Sequence, residues 1–155
     1  MTEVKSTLKV YRQQDLEVKE GRHASGHASK SLVGNEERPS ERLSVSLATF
    51  EPGKYVPLHW HLIEQVNYVV SGRATLTDIE GKSYDVGPGS YLYISPGIGS
   101  AHSWQVIERL EVIAVRGTTS REKNIQFEVD KSTMKSSIDA GYLVKQEGAL
   151  LKSFY

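Results

Sequence analysis

Residues 43–117 constrain the fold more than any other part of the chain, because short β-type segments follow one another there with Gly- and Pro-containing turns between them. The first segment, LSVSLATF, alternates apolar Leu43, Val45 and Leu47 with small residues on the opposite face. With this one, about eight such segments lie in succession, and no helical period separates them. Parallel strands need crossover helices, for which this stretch has no room, so we predict an all-β antiparallel barrel or sandwich.

The flanks of this stretch are predicted to be extensions, which divides the chain into residues 1–42, 43–117 and 118–155. In the N-terminal extension, STLKVYR (residues 6–12) is predicted to form one edge strand. GRHASGHASKS (residues 21–31) is rich in Gly and Ser, which predicts a mobile loop.

In the C-terminal extension, DKSTMKSSIDAG is predicted to form a short helix that is capped by Asp130 and ended by Gly141. The apolar residues of LVKQEGALLKSFY need a surface to cover. Both the barrel and a partner subunit would offer such a surface.

Composition excludes several classes of function. Lys plus Arg and Asp plus Glu are 19 each, so the net charge is zero and no electrostatic footprint for nucleic acid or an anionic membrane is present. The same balance leaves little repulsion against self-association. The chain has no cysteine, so a metal site must be built from His, carboxylate or amide ligands. The N-terminus lacks the apolar segment of a signal peptide and no run is long enough to span a membrane, so we expect a cytoplasmic protein.

The stretch PLHWHLIEQ places two histidines one residue apart. In a strand His59 and His61 share one face, with Cα atoms about 6.6 Å apart, and both imidazoles can reach one ion at about 2.0–2.1 Å. If the strand continues regularly, Gln65 faces the same way and Glu64 faces outward. A bulge or loop between positions 62 and 64 would instead bring in Glu64. We favour Gln65 as the fourth ligand.

A third histidine, His102, follows the Gly-rich turn SPGIGSA and begins a strand that could pair near His59. Three imidazoles and an amide oxygen leave the ion its full charge, which makes it a stronger Lewis acid with one or two positions open. The alternative is that each histidine is a polar strand residue with an ordinary hydrogen-bond partner. His23 and His27 are four residues apart, but glycines interrupt their surroundings and predict solvated loop residues.

These residues resemble the first motif of the cupins, a family of small double-stranded β-helix (jelly-roll) proteins. That motif has the pattern G-x5-H-x-H-x3,4-E-x6-G. Every spacing fits here, and the one change is Gln where Glu is usual, which independently favours the amide ligand. Gln at this position also occurs in a cupin subset that includes sugar-acid processing proteins and polyketide cyclases. The matching residues are Gly53, His59, His61, Gln65 and Gly72.

The second cupin motif, G-x5-P-x-G-x2-H-x3-N, is matched in order by Gly89, Pro96, Gly99 and His102. The turn is about two residues longer than the pattern, and Val106 stands where Asn is expected. The resemblance covers roughly residues 43–117.

The resemblance implies an all-β fold, a double-stranded β-helix (jelly-roll) cupin barrel with N- and C-terminal extensions. It also implies one divalent transition metal (Fe, Mn, Ni or Zn) and a homodimer. The implied metal ligands are His59, His61, Gln65 and His102.

Strand parity also sorts the residues that follow Gln65. Asn67 and Val69 are predicted to face inward, and Val66, Tyr68 and Val70 outward. Because this outward face is so apolar, we predict that the N-terminal strand or a partner subunit covers it.

Several further side chains are candidates for the surroundings of the metal. Tyr91 and Tyr93 share one face and would either donate hydrogen bonds at the pocket mouth or pack against the barrel. Trp104 lies two residues after the third histidine and is predicted to wall the pocket. Arg73 and Arg116 would either clamp a substrate carboxylate or lie on the surface.

The function this predicts is a metal-dependent enzyme acting on a small oxygenated metabolite such as a keto acid, dicarbonyl or sugar derivative. With Fe(II) it would be a dioxygenase; with Zn, Ni or Mn it would catalyse enolisation, isomerisation, cyclisation or hydration. The alternative is a small-molecule binding or sensing module without catalysis. A barrel that has lost its metal is a third hypothesis. No nucleic acid or membrane partner is expected.

Overall fold

Ten strands make up most of the described part of this computed structural model, which covers residues 4–20, 26–120 and 123–138. Every strand pair is antiparallel. Two single 3-10 turns are present and the described residues contain no α-helix, so the all-β prediction is confirmed. The strands are β1 Lys19–Glu20, β2 His27–Val33, β3 Ser44–Phe50, β4 Tyr55–His61, β5 Gln65–Asp78, β6 Ser83–Val86, β7 Tyr91–Ile94, β8 His102–Arg116, β9 Gln126–Val129 and β10 Ser136–Ile138.

Two long strands, β5 and β8, form the frame of the barrel because each contributes to both of its layers. In one layer the order is β1-β2-β3-β8-β5-β7, and in the other it is β6-β5-β8-β4-β9-β10. The apolar core lies between the layers and draws side chains from both halves of β5 and β8. Its buried members are Val56, Val69, Ala74, Leu76, Val86, Trp104, Val106, Leu110 and Val112.

The two long strands bend at Gly72, where the sequence predicted a break between two separate segments. The β5–β8 register shifts between Val69 and Ala74, and Gly72 has a left-handed φ of 84°. A Cβ atom at Gly72 would collide with the backbone carbonyl of Arg109. A bulge of this kind bends a strand without ending it. About eight predicted segments therefore correspond to six strands, β3 to β8.

Both predictions for the N-terminal extension need correction. Residues 6–12 form no strand and are exposed; the strand that pairs with β2 is β1. Residues 21–25 of the predicted loop lie outside the described residues, but His27–Val33 form β2 alongside β3. The His27 ring also stacks on Phe50 at 4.3 Å. Gly and Ser content is a local signal, and it carries no information about a partner strand distant in sequence.

The helix predicted in the C-terminal extension is also wrong over its described part, where β9 and β10 form a hairpin. The Asp130 carboxylate accepts hydrogen bonds from the backbone N–H and the hydroxyl of Ser132, at 2.8 and 2.7 Å. These bonds favour a turn over a helix. Gly141, the predicted end of the helix, and LVKQEGALLKSFY lie outside the described residues.

The hairpin of β9 and β10 extends the layer that carries β4. Gln126 pairs with His61 across the two strands, and Phe127 stacks on Trp60 at 4.4 Å. The Trp60 indole N–H donates to the Ser136 hydroxyl at 2.9 Å. The C-terminal extension therefore helps to hold the strand that carries two of the histidines.

Alternation along the first half of β5 follows the prediction. Asn67 and Val69 are buried, whereas Val66, Tyr68 and Val70 remain 38%, 46% and 42% exposed. No described residue of the N-terminal extension covers this outward face, because that segment is itself exposed and β1 pairs at the far edge, with β2.

Candidate metal centre

Three histidines converge on the inner side of β4 and β8. His59 and His102 are cross-strand partners, and His61 lies two residues further along the same face. Each is only 4% exposed. One ring nitrogen of each lies within 4.8 Å of the others, and the His59 and His102 ring centroids are 4.5 Å apart. A modest closing movement of the rings would bring all three within bonding distance of one cation, about 2.0–2.1 Å.

Backbone carbonyls fix the protonation of two of these rings. His59 Nδ1 donates to the Pro57 carbonyl at 2.6 Å, and His102 Nδ1 donates to the Ser100 carbonyl at 2.9 Å. Since a carbonyl only accepts, the proton resides on Nδ1 and Nε2 keeps its lone pair for a metal. Burial lowers the pKa of His102, and the bond to Ser100 opposes this only in part. The ring is therefore neutral at pH 7, which is the form that binds metals.

Gln65 supplies the observation that tests whether a cation fits. The side chain is 4% exposed, and its Nε2 donates to Asn67 Oδ1 at 2.7 Å. Its buried Oε1 accepts no hydrogen bond from any described residue. An unsatisfied buried oxygen costs about 1–3 kcal/mol, and a cation at the histidines would satisfy it. Three neutral imidazole nitrogens and an amide oxygen suit a divalent transition metal.

The neighbouring Glu64 points away from the cluster, as strand parity predicted. It is exposed, and its carboxylate lies beside the Tyr93 hydroxyl, raising the pKa of Tyr93. The Gln65 amide thus lines the same cavity as the three histidines, whereas the Glu64 carboxylate lies outside that cavity.

A cavity of about 970 Å³ opens onto the three histidines and Gln65. Strands β2, β3, β4, β5 and β8 form its inner wall, and residues 15–19 and 34–40 of the N-terminal extension form its outer part. All of the lining carboxylates among the described residues are exposed, at the outer part. They are Asp15, Glu17, Glu36 and Glu37.

The residues predicted to surround the metal lie in different places in the structure. Trp104 is 6% exposed and walls the cavity as predicted, with its ring 6.2 Å from that of His102. Arg116 also lines the cavity and donates to Ser46 Oγ at 2.9 Å. Arg73 lines neither cavity described here and lies at the surface.

Arg73 forms ion pairs with Asp85 and Glu108, at 3.1 and 3.9 Å. These ion pairs place Arg73 in the surface position that was the second of its two predicted roles. In sequence the two arginines are equivalent; their strand positions separate them.

Tyr91 and Tyr93 lie at a different opening from the one expected. They are 76% and 65% exposed and line a second cavity of about 320 Å³ near β6 and β7. His102 also lines this smaller cavity.

Asn67 and the serines of β2 and β3 were assigned no functional role from the sequence, although all of them line the large cavity. The alternation in LSVSLATF was the available signal, since its serines face opposite to the apolar residues.

Known proteins share this barrel. The model of the cupin domain matches residues 46–116. The oxalate decarboxylase OxdC of Bacillus subtilis (strain 168) is 32% identical over 116 residues, which are 70% of this chain and 30% of that protein. The chain thus spans about a third of the length of this curated relative.

Several solved structures share the fold of this chain. A mutant of Bacillus subtilis OxdC matches with a TM-score of 0.60 at 27% identity, covering 80% of this chain and 33% of that one. The polyketide cyclase RemF of Streptomyces resistomycificus matches with a TM-score of 0.62 at 22% identity, covering 71% and 79%. KdgF from Halomonas sp. matches with a TM-score of 0.60 at 18% identity, covering 72% and 94%. The last two show the fold alone.

A small antiparallel jelly roll with three buried histidines on its inner face defines the class of protein. The chain belongs to the cupin superfamily. Among the described residues, no helix is long and apolar enough to cross a membrane.

Proposed function

We propose that this chain is a metal-dependent enzyme that acts on a small oxygenated metabolite, such as a keto acid, dicarbonyl or sugar derivative. The proposed ligands are His59, His61, Gln65 and His102, and the metal is Fe, Mn, Ni or Zn. One observation carries the proposal: three buried imidazoles and an unsatisfied amide oxygen lie at the inner end of an open cavity.

The residues around the cluster have separate tasks in this proposal. The Pro57 and Ser100 carbonyls hold two imidazoles in the ligand tautomer, and Asn67 holds the Gln65 amide nitrogen so that its oxygen remains the acceptor. A bound divalent cation would supply Lewis-acid or oxygen-activating chemistry at the substrate oxygens.

The positions of the acids support metal-centred chemistry. No described carboxylate lines the buried part of the cavity, since all that line it are exposed. The neutral ligand set leaves the charge of the cation undiminished, whereas a glutamate ligand would remove one unit. The name of the curated relative, an oxalate decarboxylase, supports a small carboxylic acid as one substrate class.

Elemental analysis of protein purified without added metal tests the site. We expect about one transition-metal ion per chain in the wild type and in a His27→Ala control. His27 lines the same cavity but lies outside the histidine cluster. The His59→Ala/His61→Ala double variant should lose the ion. A metal content that is unchanged in the double variant would overturn the proposal.

Oxygen consumption separates the two chemistries. Iron-loaded protein that turns over keto or sugar substrates only in air, with consumption of oxygen, is a dioxygenase. Turnover that is equal under anaerobic conditions assigns isomerase, cyclase or lyase chemistry instead.

The second candidate is a non-catalytic binding or sensing module. The same lack of a buried carboxylate in the described cavity favours it, because no acid stands ready for proton transfer. Ligand-induced melting shifts without turnover of any candidate substrate would support this function.

A further inference from the structure

A row of three side chains links the candidate metal centre to the inner wall of the cavity. Arg116 is the direct cross-strand partner of Gln65 on one side and of Ser44 on the other. Directly opposite residues of an antiparallel pair share one face, with Cβ atoms about 4.5–5.5 Å apart. All three residues line the large cavity. The arginine therefore stands next to Gln65, the proposed fourth ligand.

The adjoining part of the wall is lined by serines. The Ser46 hydroxyl accepts a hydrogen bond from the Arg116 guanidinium at 2.9 Å, and this bond fixes the orientation of the guanidinium. Ser29 and Ser44 also line the cavity, and their hydroxyls make no hydrogen bond to any described residue. An inner face of a barrel is ordinarily filled by apolar side chains. Small hydroxylated side chains leave space here and offer donors and acceptors.

Arg116 is the cationic side chain that strand pairing sets beside Gln65. Two other cationic side chains, Lys19 and Arg38, line the cavity within the described residues. Neither of them belongs to a strand that pairs with β5.

We infer that Arg116 anchors the carboxylate of a hydroxylated carboxylic acid, with the serines of the wall binding its hydroxyl groups. This rests on the proposed function, because the substrate would lie between the arginine and the metal centre. A guanidinium matches a carboxylate with two parallel N–H donors, and charge-assisted bonds of this kind are among the strongest in proteins. Arg116 is thus a specificity residue, and polyhydroxylated acids are the substrate class it selects.

Calorimetric titration of zinc-loaded protein with gluconate, and with its uncharged counterpart glucitol, tests this inference. We expect gluconate to bind and glucitol to bind much more weakly. Arg116→Gln should weaken gluconate binding by about 10–100-fold, with zinc content unchanged. Arg116→Lys keeps the charge without the planar fork and should fall between. Arg73→Gln removes an arginine outside the cavity and should match the wild type.

A second set of titrations tests whether the serine hydroxyls of the cavity wall bind the ligand. Ser44→Ala should weaken gluconate binding and leave the binding of propionate, which has no hydroxyl groups, unchanged. Equal binding of gluconate and glucitol, or an Arg116→Gln variant that binds gluconate like the wild type, would overturn the inference while the zinc content still supported the proposed function. Zinc-loaded wild type that binds neither gluconate nor glycerate would overturn it as well. A wild type that binds none of Fe, Mn, Ni and Zn would remove the proposed function itself.

Discussion

Replacing Gln65 by Glu should have opposite effects on the metal-free and metal-bound protein. In the metal-free protein the Gln65 amide donates to Asn67 Oδ1 at 2.7 Å, and the side chain is 4% exposed. Gln65→Glu removes that donor and puts a second acceptor in its place, inside a buried site. We expect the free energy of unfolding to fall by about 1–3 kcal/mol. Each kcal/mol lowers Tm by about 2–4 °C in a chain of this size.

With a divalent cation bound, the order of stability of the Gln65→Glu variant and the wild type should reverse. The carboxylate neutralises one unit of the cation's charge at contact distance, so affinity for the metal should rise by roughly tenfold or more. Since a ligand that binds only the folded state stabilises it, the variant should gain more from metal than the wild type does.

Thermal melts in chelator and in excess zinc, together with a competition titration for zinc affinity, measure both effects. Gln105→Glu is the matched control, because the same change at an exposed position should shift stability by only about 0.5 kcal/mol. A Gln65→Glu variant that is more stable than the wild type in chelator, or that binds zinc no more tightly, would show that the Gln65 amide does not lie at the metal site.

Three further predictions concern pH, the bulge and self-association. Burial lowers the pKa of His102, so the unfolded chain takes up this proton first as pH falls below about 6.5; the metal-free protein should therefore lose stability below that pH, and His102→Asn should flatten the dependence measured by chemical denaturation. Gly72→Ala should lower Tm more than Gly89→Ala, because both glycines have a left-handed φ but only the first faces a backbone carbonyl; denaturant melts showing equal losses, about 1–2 kcal/mol each, would contradict the steric part of this reasoning. The exposed face of Val66, Tyr68 and Val70 should mediate a homodimer, so light scattering should give a dimer for the wild type and a monomer for Tyr68→Glu; a monomeric wild type would contradict it.

The candidate site shows how far the sequence alone could be used. The period-2 alternation of a strand predicted that Gln65 faces inward and Glu64 outward. In the structure Gln65 is buried and Glu64 is exposed, as predicted. That prediction was possible because alternation is a local property of extended backbone. It required only that β4 and β5 keep their parity across the short link between them.

Other features depended on partners that the sequence does not name. The serines of β2 looked like part of a loop, because nothing local indicates that β3 pairs with them. The hairpin at Asp130 was mistaken for a helix for the same reason. Gly72 resembled the end of a strand, whereas its close approach to the Arg109 carbonyl makes it a bend within one.

By itself, the sequence determined the all-β class, the inward parity of the histidines and Gln65, and the absence of thiol chemistry. Only the tertiary structure decided that Arg116 stands beside Gln65 while Arg73 pairs with surface acids. The physical reason is that side-chain alternation repeats every two residues along one strand. Which strands lie side by side is set by hydrogen bonds and packing between segments far apart in the chain.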